Sequence, residues 1–91
     1  MATKVRIPSS LRKLTNNQAV VEVSAPHVGA LIAELQARFP GIKERLVDEH
    51  GEIRRYVNVF VNAEDVRFLR HQETPLHDGD EVSLVPAIAG G

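Results

Sequence analysis

APHVGALIAELQARFPG, residues 25–41, sets Val28, Leu31, Ile32, Leu35 and Phe39 at the i, i+3, i+4, i+7, i+11 spacing of one helix face. Pro26 suits the first turn of such a helix, and Pro40-Gly41 ends it. Burying each of those side chains contributes roughly 1.5–3 kcal/mol before chain entropy is counted. The stripe is therefore core, and the fold depends on what covers it. The flanking sequence offers strands.

Residues 3–7 alternate, with Val5 and Ile7 on one face and Lys4 and Arg6 on the other, until Pro8 removes a donor. After the polar run SSLRKLTNNQ, AVVEVS at residues 19–24 resumes the alternation, with Ala19, Val21 and Val23 opposite Val20 and Glu22. These two runs predict an antiparallel hairpin with a long connection. Beyond the helix, residues 42–55 are charged and weakly patterned, with Ile42, Leu46 and Val47 placed to pin a short helical turn on the core. His50-Gly51-Glu52 marks the next turn.

Residues 56–62 alternate strongly, Val57, Val59 and Val61 against Tyr56, Asn58, Phe60 and Asn62. Asn62-Ala63-Glu64-Asp65 reads as a tight turn into a short strand over residues 66–68. TPLHDGDEVSLVP supplies an Asp-Gly turn and a last strand over residues 81–85, with Val82 and Leu84 inward and Ser83 and Val85 outward. One helix with one apolar face needs one sheet, so the expected class is a two-layer α+β domain with a mostly antiparallel sheet. Residues 1–86 form that domain, and residues 87–91 form a flexible C-terminal Gly-Gly tail.

Composition narrows the function. The 91 residues are one domain by length, able to bury about two thirds of the unfolded surface. The absence of cysteine excludes disulfides, thiolate metal sites and a cysteine nucleophile. Eleven basic residues against twelve acidic ones give a formal charge of −1 and no global field for nucleic acid or an anionic membrane. The opening MATKVRIPSS has no apolar leader-like core, which leads to the expectation of a cytoplasmic protein.

His27, His50, His71 and His77 have no metal-ligand spacing, and Glu64-Asp65 falls on a hairpin tip with no pocket implied. Asp78, Asp80 and Glu81 read as turn and edge residues. Arg54, Arg55, Arg67 and Arg70 form either a solvated face or a basic rim that steers an acidic partner. With no phosphate loop or nucleophile elbow, the chain does not read as an enzyme.

The element order, a β-hairpin gripping one helix and then further strands, resembles the ubiquitin-like β-grasp fold. FVNAEDVRF at residues 60–68 and TPLHDGDEVSLVPAIAGG at 74–91 resemble the bacterial and archaeal sulfur carriers. That family includes the small subunit of molybdopterin synthase, the thiamine sulfur carrier and the carriers of cysteine and homocysteine synthesis. RYVNVFVNAEDVRF, residues 55–68, looks closest to the cysteine-synthesis carriers.

The resemblance implies that an ATP-dependent activating enzyme adenylates the carboxylate of Gly91 and that a sulfur donor then displaces AMP, leaving a thiocarboxylate. Ala87, Ile88, Ala89 and Gly90 would enter the partners' active sites. Glycines at 90 and 91 put no Cβ in the way of the acyl centre, and the lead before them carries no charge to desolvate. Phe60 and Val85, on outward strand faces, are expected to dock partners together with Arg67. The carrier itself would bind no cofactor. Its implied partners are the activating enzyme, a pyridoxal-phosphate enzyme that accepts the sulfur, and a metallopeptidase that releases cysteine. The alternatives are the small subunit of molybdopterin synthase, a ubiquitin-like modifier joined to lysines through Gly91, and a plain interaction module.

Overall fold

The computed structural model describes residues 2–86, and the expectations for Ala87, Ile88, Ala89, Gly90 and Gly91 lie outside the described residues. The first two alternating runs form β1 (Thr3–Arg6) and β2 (Val20–Val23), antiparallel with Val5 opposite Val21. Ala19 stays outside the strand and is exposed, its carbonyl accepting from the Ile7 N–H at 2.8 Å. The long connection opens with a 3₁₀ turn at Ser9–Leu11 that buries Leu11.

α1 spans Val28–Arg38 and buries Val28, Leu31, Ile32 and Leu35, with Phe39 as its C-cap. Pro26 lies just before the helix rather than in its first turn, because His27 takes the N-cap position and its Nδ1 accepts from the Ala30 N–H at 3.1 Å. At the other end, the Arg38 guanidinium donates to the Glu22 carbonyl at 2.7 Å and ties α1 to β2. Gly41, at a φ of 102°, makes the reversal into α2 (Ile42–Leu46), where Ile42 and Leu46 are buried as expected.

β3 (Val57–Val61) turns through Asn62 and Ala63 into β4, which is only Glu64–Asp65. The strand expected over residues 66–68 does not form. Val66–Phe68 is a 3₁₀ turn, because the Asp65 carboxylate accepts from the Arg67 N–H at 2.9 Å and caps the turn where the ladder would have continued. β5 (Glu81–Pro86) completes a five-stranded sheet in the order β2-β1-β5-β3-β4. β1 and β5 run parallel and the other neighbours antiparallel, which is the β-grasp arrangement.

The core lies between α1 and the inward residues of the sheet. Val5, Val23, Val57, Val59, Val82 and Leu84 are all buried against the helix stripe, with Ile42, Leu46 and Val47 closing one end. Among the described residues no helix is long and apolar enough to cross a membrane.

Candidate functional site

β5 is the central strand and the last described element, so whatever follows it leaves from the middle of the sheet's end. Pro86 pairs with Val57 there, beside β3. On the sheet face away from α1, residues alternate with the buried set. Lys4 and Arg6 come from β1, Val20 and Glu22 from β2, Asn58 and Phe60 from β3, and Glu81, Ser83 and Val85 from β5.

This outer face divides by chemistry along β5. At its start, Arg6 Nε donates to Glu81 Oε1 at 2.8 Å, a hydrogen-bonded ion pair that raises the Arg6 pKa and lowers that of Glu81. Both side chains are well exposed, so the pair adds little stability. Toward the exit, Val85 is 45% and Tyr56 50% exposed, and Phe60 is half-buried. The register sets Asn58 opposite Val85 and Ser83 opposite Phe60, so the two expected docking residues are diagonal neighbours on paired strands.

Arg67 lies elsewhere. Its Nη2 donates to the carbonyls of Arg55 at 2.8 Å and Val57 at 3.1 Å, along the side of β3 that faces away from β5. Arg54 is also held, its Nε donating to the Glu44 carbonyl at 3.0 Å. Arg55, Arg67 and Arg70 line a groove of about 700 Å³ whose floor includes Ile53, Val57 and Val66. The four arginines therefore do not form one rim. The carboxylates of Glu52, Asp65 and Glu73 line the same groove, so its charge is mixed.

Sequence reasoning missed how the DGDEV segment works. Asp80 Oδ1 accepts from Asn62 Nδ2 at 2.8 Å, and Oδ2 accepts from the His77 N–H at 2.8 Å. Asn62 Oδ1 in turn accepts from the Glu81 N–H at 3.0 Å, while the Lys4 N–H donates to the Asp80 carbonyl at 3.0 Å. These bonds clip β1, the β3–β4 turn and the start of β5 together. The bonds from Asn62 and the His77 N–H hold the Asp80 pKa below its ordinary value, the Asn62 bond contributing most. The only signal in the sequence was the pairing of turn-forming residue types at 62 and 78–80.

Among the described residues no catalytic constellation appears. Among the described residues no group of three His, Asp or Glu side chains is placed to hold a metal ion. His27 is a helix cap, and Asp65 is committed to the 3₁₀ turn. What the geometry provides is a rigid sheet with a half-apolar outer face beside the strand end that carries residues 87–91.

Comparison with known proteins bears on that arrangement. The model of the ThiS family matches residues 5–91. The sulfur carrier protein CysO of Mycobacterium tuberculosis is 45% identical over 93 aligned positions, covering the whole of both chains. The crystal structure of the Amycolatopsis orientalis BexX/CysO complex contains a chain that matches with a TM-score of 0.93 at 42% identity, covering 99% of this chain and 100% of that one. A molybdopterin synthase sulfur carrier subunit of Mycobacterium tuberculosis is 32% identical over 77 residues, 85% of this chain and 78% of its own.

Proposed function

The chain belongs to the ThiS family, and from that premise we propose that it is a sulfur carrier for cysteine biosynthesis, loaded as a thiocarboxylate on Gly91. The observation that carries the reading is full-length similarity to a protein named as a sulfur carrier, including the central strand that leads into VPAIAGG. The weaker and shorter match to a molybdopterin synthase subunit favours the cysteine pathway over molybdenum cofactor synthesis.

A carboxylate is a poor electrophile because its charge is shared over two oxygens. In the proposed cycle an activating enzyme directs the Gly91 carboxylate onto the α-phosphorus of ATP, releasing pyrophosphate and forming an acyl-adenylate. A sulfur nucleophile then attacks the acyl carbon and expels AMP, leaving the thiocarboxylate. The thiocarboxylate sulfur would next replace the activated oxygen group on the β-carbon of a serine derivative held by a pyridoxal-phosphate enzyme, the oxygen group leaving and the Gly91 acyl carbon staying bonded to sulfur as a thioester. Rearrangement to an amide and cleavage by a metallopeptidase would release cysteine and restore Gly91. The chain is a substrate throughout: its contribution is an uncharged tail ending in two glycines and a face, centred on Val85 and Phe60, by which each enzyme can seat it.

The test is an intact mass of the chain from its own cells, with and without thiol alkylation, followed by fragmentation of the C-terminal peptide. With no cysteine in the sequence, an alkyl adduct mapped to Gly91 identifies the thiocarboxylate. A free carboxylate alone, even after supplying ATP, cell extract and a sulfur source, overturns the reading.

A further inference from the structure

The sheet narrows toward the end at which Pro86 hands on to residue 87. β1 supports β5 only from Glu81 to Ser83, so among the described residues Leu84, Val85 and Pro86 have β3 as their one strand neighbour. The ladder between β3 and β5 thins in the same direction. The Asn62 N–H donates to the Glu81 carbonyl at 2.8 Å, and by antiparallel alternation the bonded pairs that follow are Phe60 with Ser83 and Asn58 with Val85. Val57 and Pro86 therefore face each other without a ladder bond, and Pro86 has no N–H to give. The root of the tail is set by whatever holds Val57.

Val57 is held from its far side. β4 reaches only Phe60 and Val61, and beyond it the Asp65 carboxylate caps the 3₁₀ turn that carries Arg67. From that turn Arg67 Nη2 donates to the carbonyls of Arg55 and Val57, while the Val57 N–H donates to the Arg54 carbonyl at 3.0 Å. Val57 is buried, so without Arg67 its carbonyl gains little from water in exchange.

We propose that Arg67 is a positioning residue for the loading of Gly91: by stapling the start of β3 it fixes the point from which the tail departs. This rests on the carrier reading. Five residues separate Pro86 from the end of the chain, a reach of at most about 17 Å. If the start of β3 loosens, Pro86 is released, while the Asn58–Val85 bonds keep Val85 on the outer face. An enzyme can then bind that face as before, but the Gly91 carboxylate meets the reacting phosphorus from a root that is no longer fixed. Misplacement by about 1 Å, even from a change far from the chemistry, costs up to about a hundredfold in rate.

The test measures thiocarboxylate formation, by alkylation and mass, for the unaltered chain, Arg67→Ala and Arg67→Lys over a range of carrier concentrations. Cell extract supplies the activating enzyme, with ATP and a sulfur source added, and NMR follows amide exchange at Val57 and at Leu35 inside α1. Arg67→Ala should lower the saturating rate about tenfold and leave the half-saturating concentration within about twofold. Val57 exchange should quicken by at least about tenfold while Leu35 keeps its protection. Arg67→Lys, which can still donate, should fall between on both readings, and it makes the same comparison if Arg67→Ala does not fold. If the unaltered chain loads and both variants reach its saturating rate, Arg67 positions nothing and the carrier reading stands. A deficit that vanishes at saturation makes Arg67 a docking contact, and a deficit without faster Val57 exchange separates it from the staple; either overturns the proposal. If the unaltered chain itself does not load, the carrier reading falls and the proposal falls with it.

Discussion

At Asp80 the two carboxylate oxygens are taken by different parts of the chain, Asn62 on one side and the His77 backbone on the other. Hydrogen bonds to a charged acceptor favour the ionised form, so the folded-state pKa lies below its ordinary value. A carboxyl shifted in this direction contributes its full stability above the unfolded value, near 4, and loses it as pH falls through the depressed folded value. Asp80→Asn should therefore be less stable than the unaltered chain by about 1–2 kcal/mol at neutral pH. Urea denaturation at a series of pH values should show that gap closing only below about pH 4. A gap that persists unchanged into acid would mean that the carboxylate charge is not what the clip uses. Asp80 also marks what was hidden in the sequence. It reads as a turn or edge residue just after the Asp78-Gly79 turn, and nothing local says that its carboxylate meets a side chain eighteen residues earlier.

The elements were legible wherever periodicity and burial agreed. The helix stripe and the alternating valines of β3 declare themselves because each sits on one buried face. Val66-Arg67-Phe68 alternates like a strand as well, yet Asp65 captures the Arg67 N–H and turns the chain, a local bond that residue alternation does not register. The hairpin before it carries a second local feature. Asn62 and Ala63 both have positive φ, 50° and 72°, as a two-residue turn of the I′ type requires. Ala63 has a Cβ and makes no use of it in the clip, so Ala63→Gly should relieve strain that exceeds the entropy glycine adds to the unfolded chain. The expected gain is about 0.5 kcal/mol, seen as a rise in Tm of about 2–4 °C. Asn62→Gly has the same backbone advantage but loses the bonds to Asp80 and Glu81, so it should lower Tm. Calorimetry on the two variants separates backbone strain from side-chain bonding, since only the second distinguishes them.

For the whole molecule, the consequence of the sheet order is that one rigid layer holds both the strand leading to Gly91 and the face through which a partner would seat it. Physics applied to the sequence could predict that layer, and it could place Phe60 and Val85 on its outer side. The chemistry proposed for Gly91 rests on resemblance, because no pattern of charge or apolarity encodes a thiocarboxylate. Arg67 was assigned to docking from its type and neighbourhood, whereas its bonds to Arg55 and Val57 became visible only with the register of β3 and β4. A docking role for Val85 can be separated from a folding role by its exposure. The side chain is 45% exposed on the outer face and contributes little to the core, so Val85→Ala should leave Tm within about 2 °C. If an enzyme buries this side chain when it loads Gly91, truncation removes roughly 1–2 kcal/mol of binding, a fall of about tenfold in loading rate at low carrier concentration. That deficit should shrink as carrier is raised to saturation, because the altered group touches the partner and not the reacting carbon. Thiocarboxylate formation followed by alkylation and mass measurement supplies the rate. An undiminished rate for Val85→Ala would move the docking face away from this end of the sheet, while a loss that persists at saturation would place Val85 in the chemical step rather than in recognition.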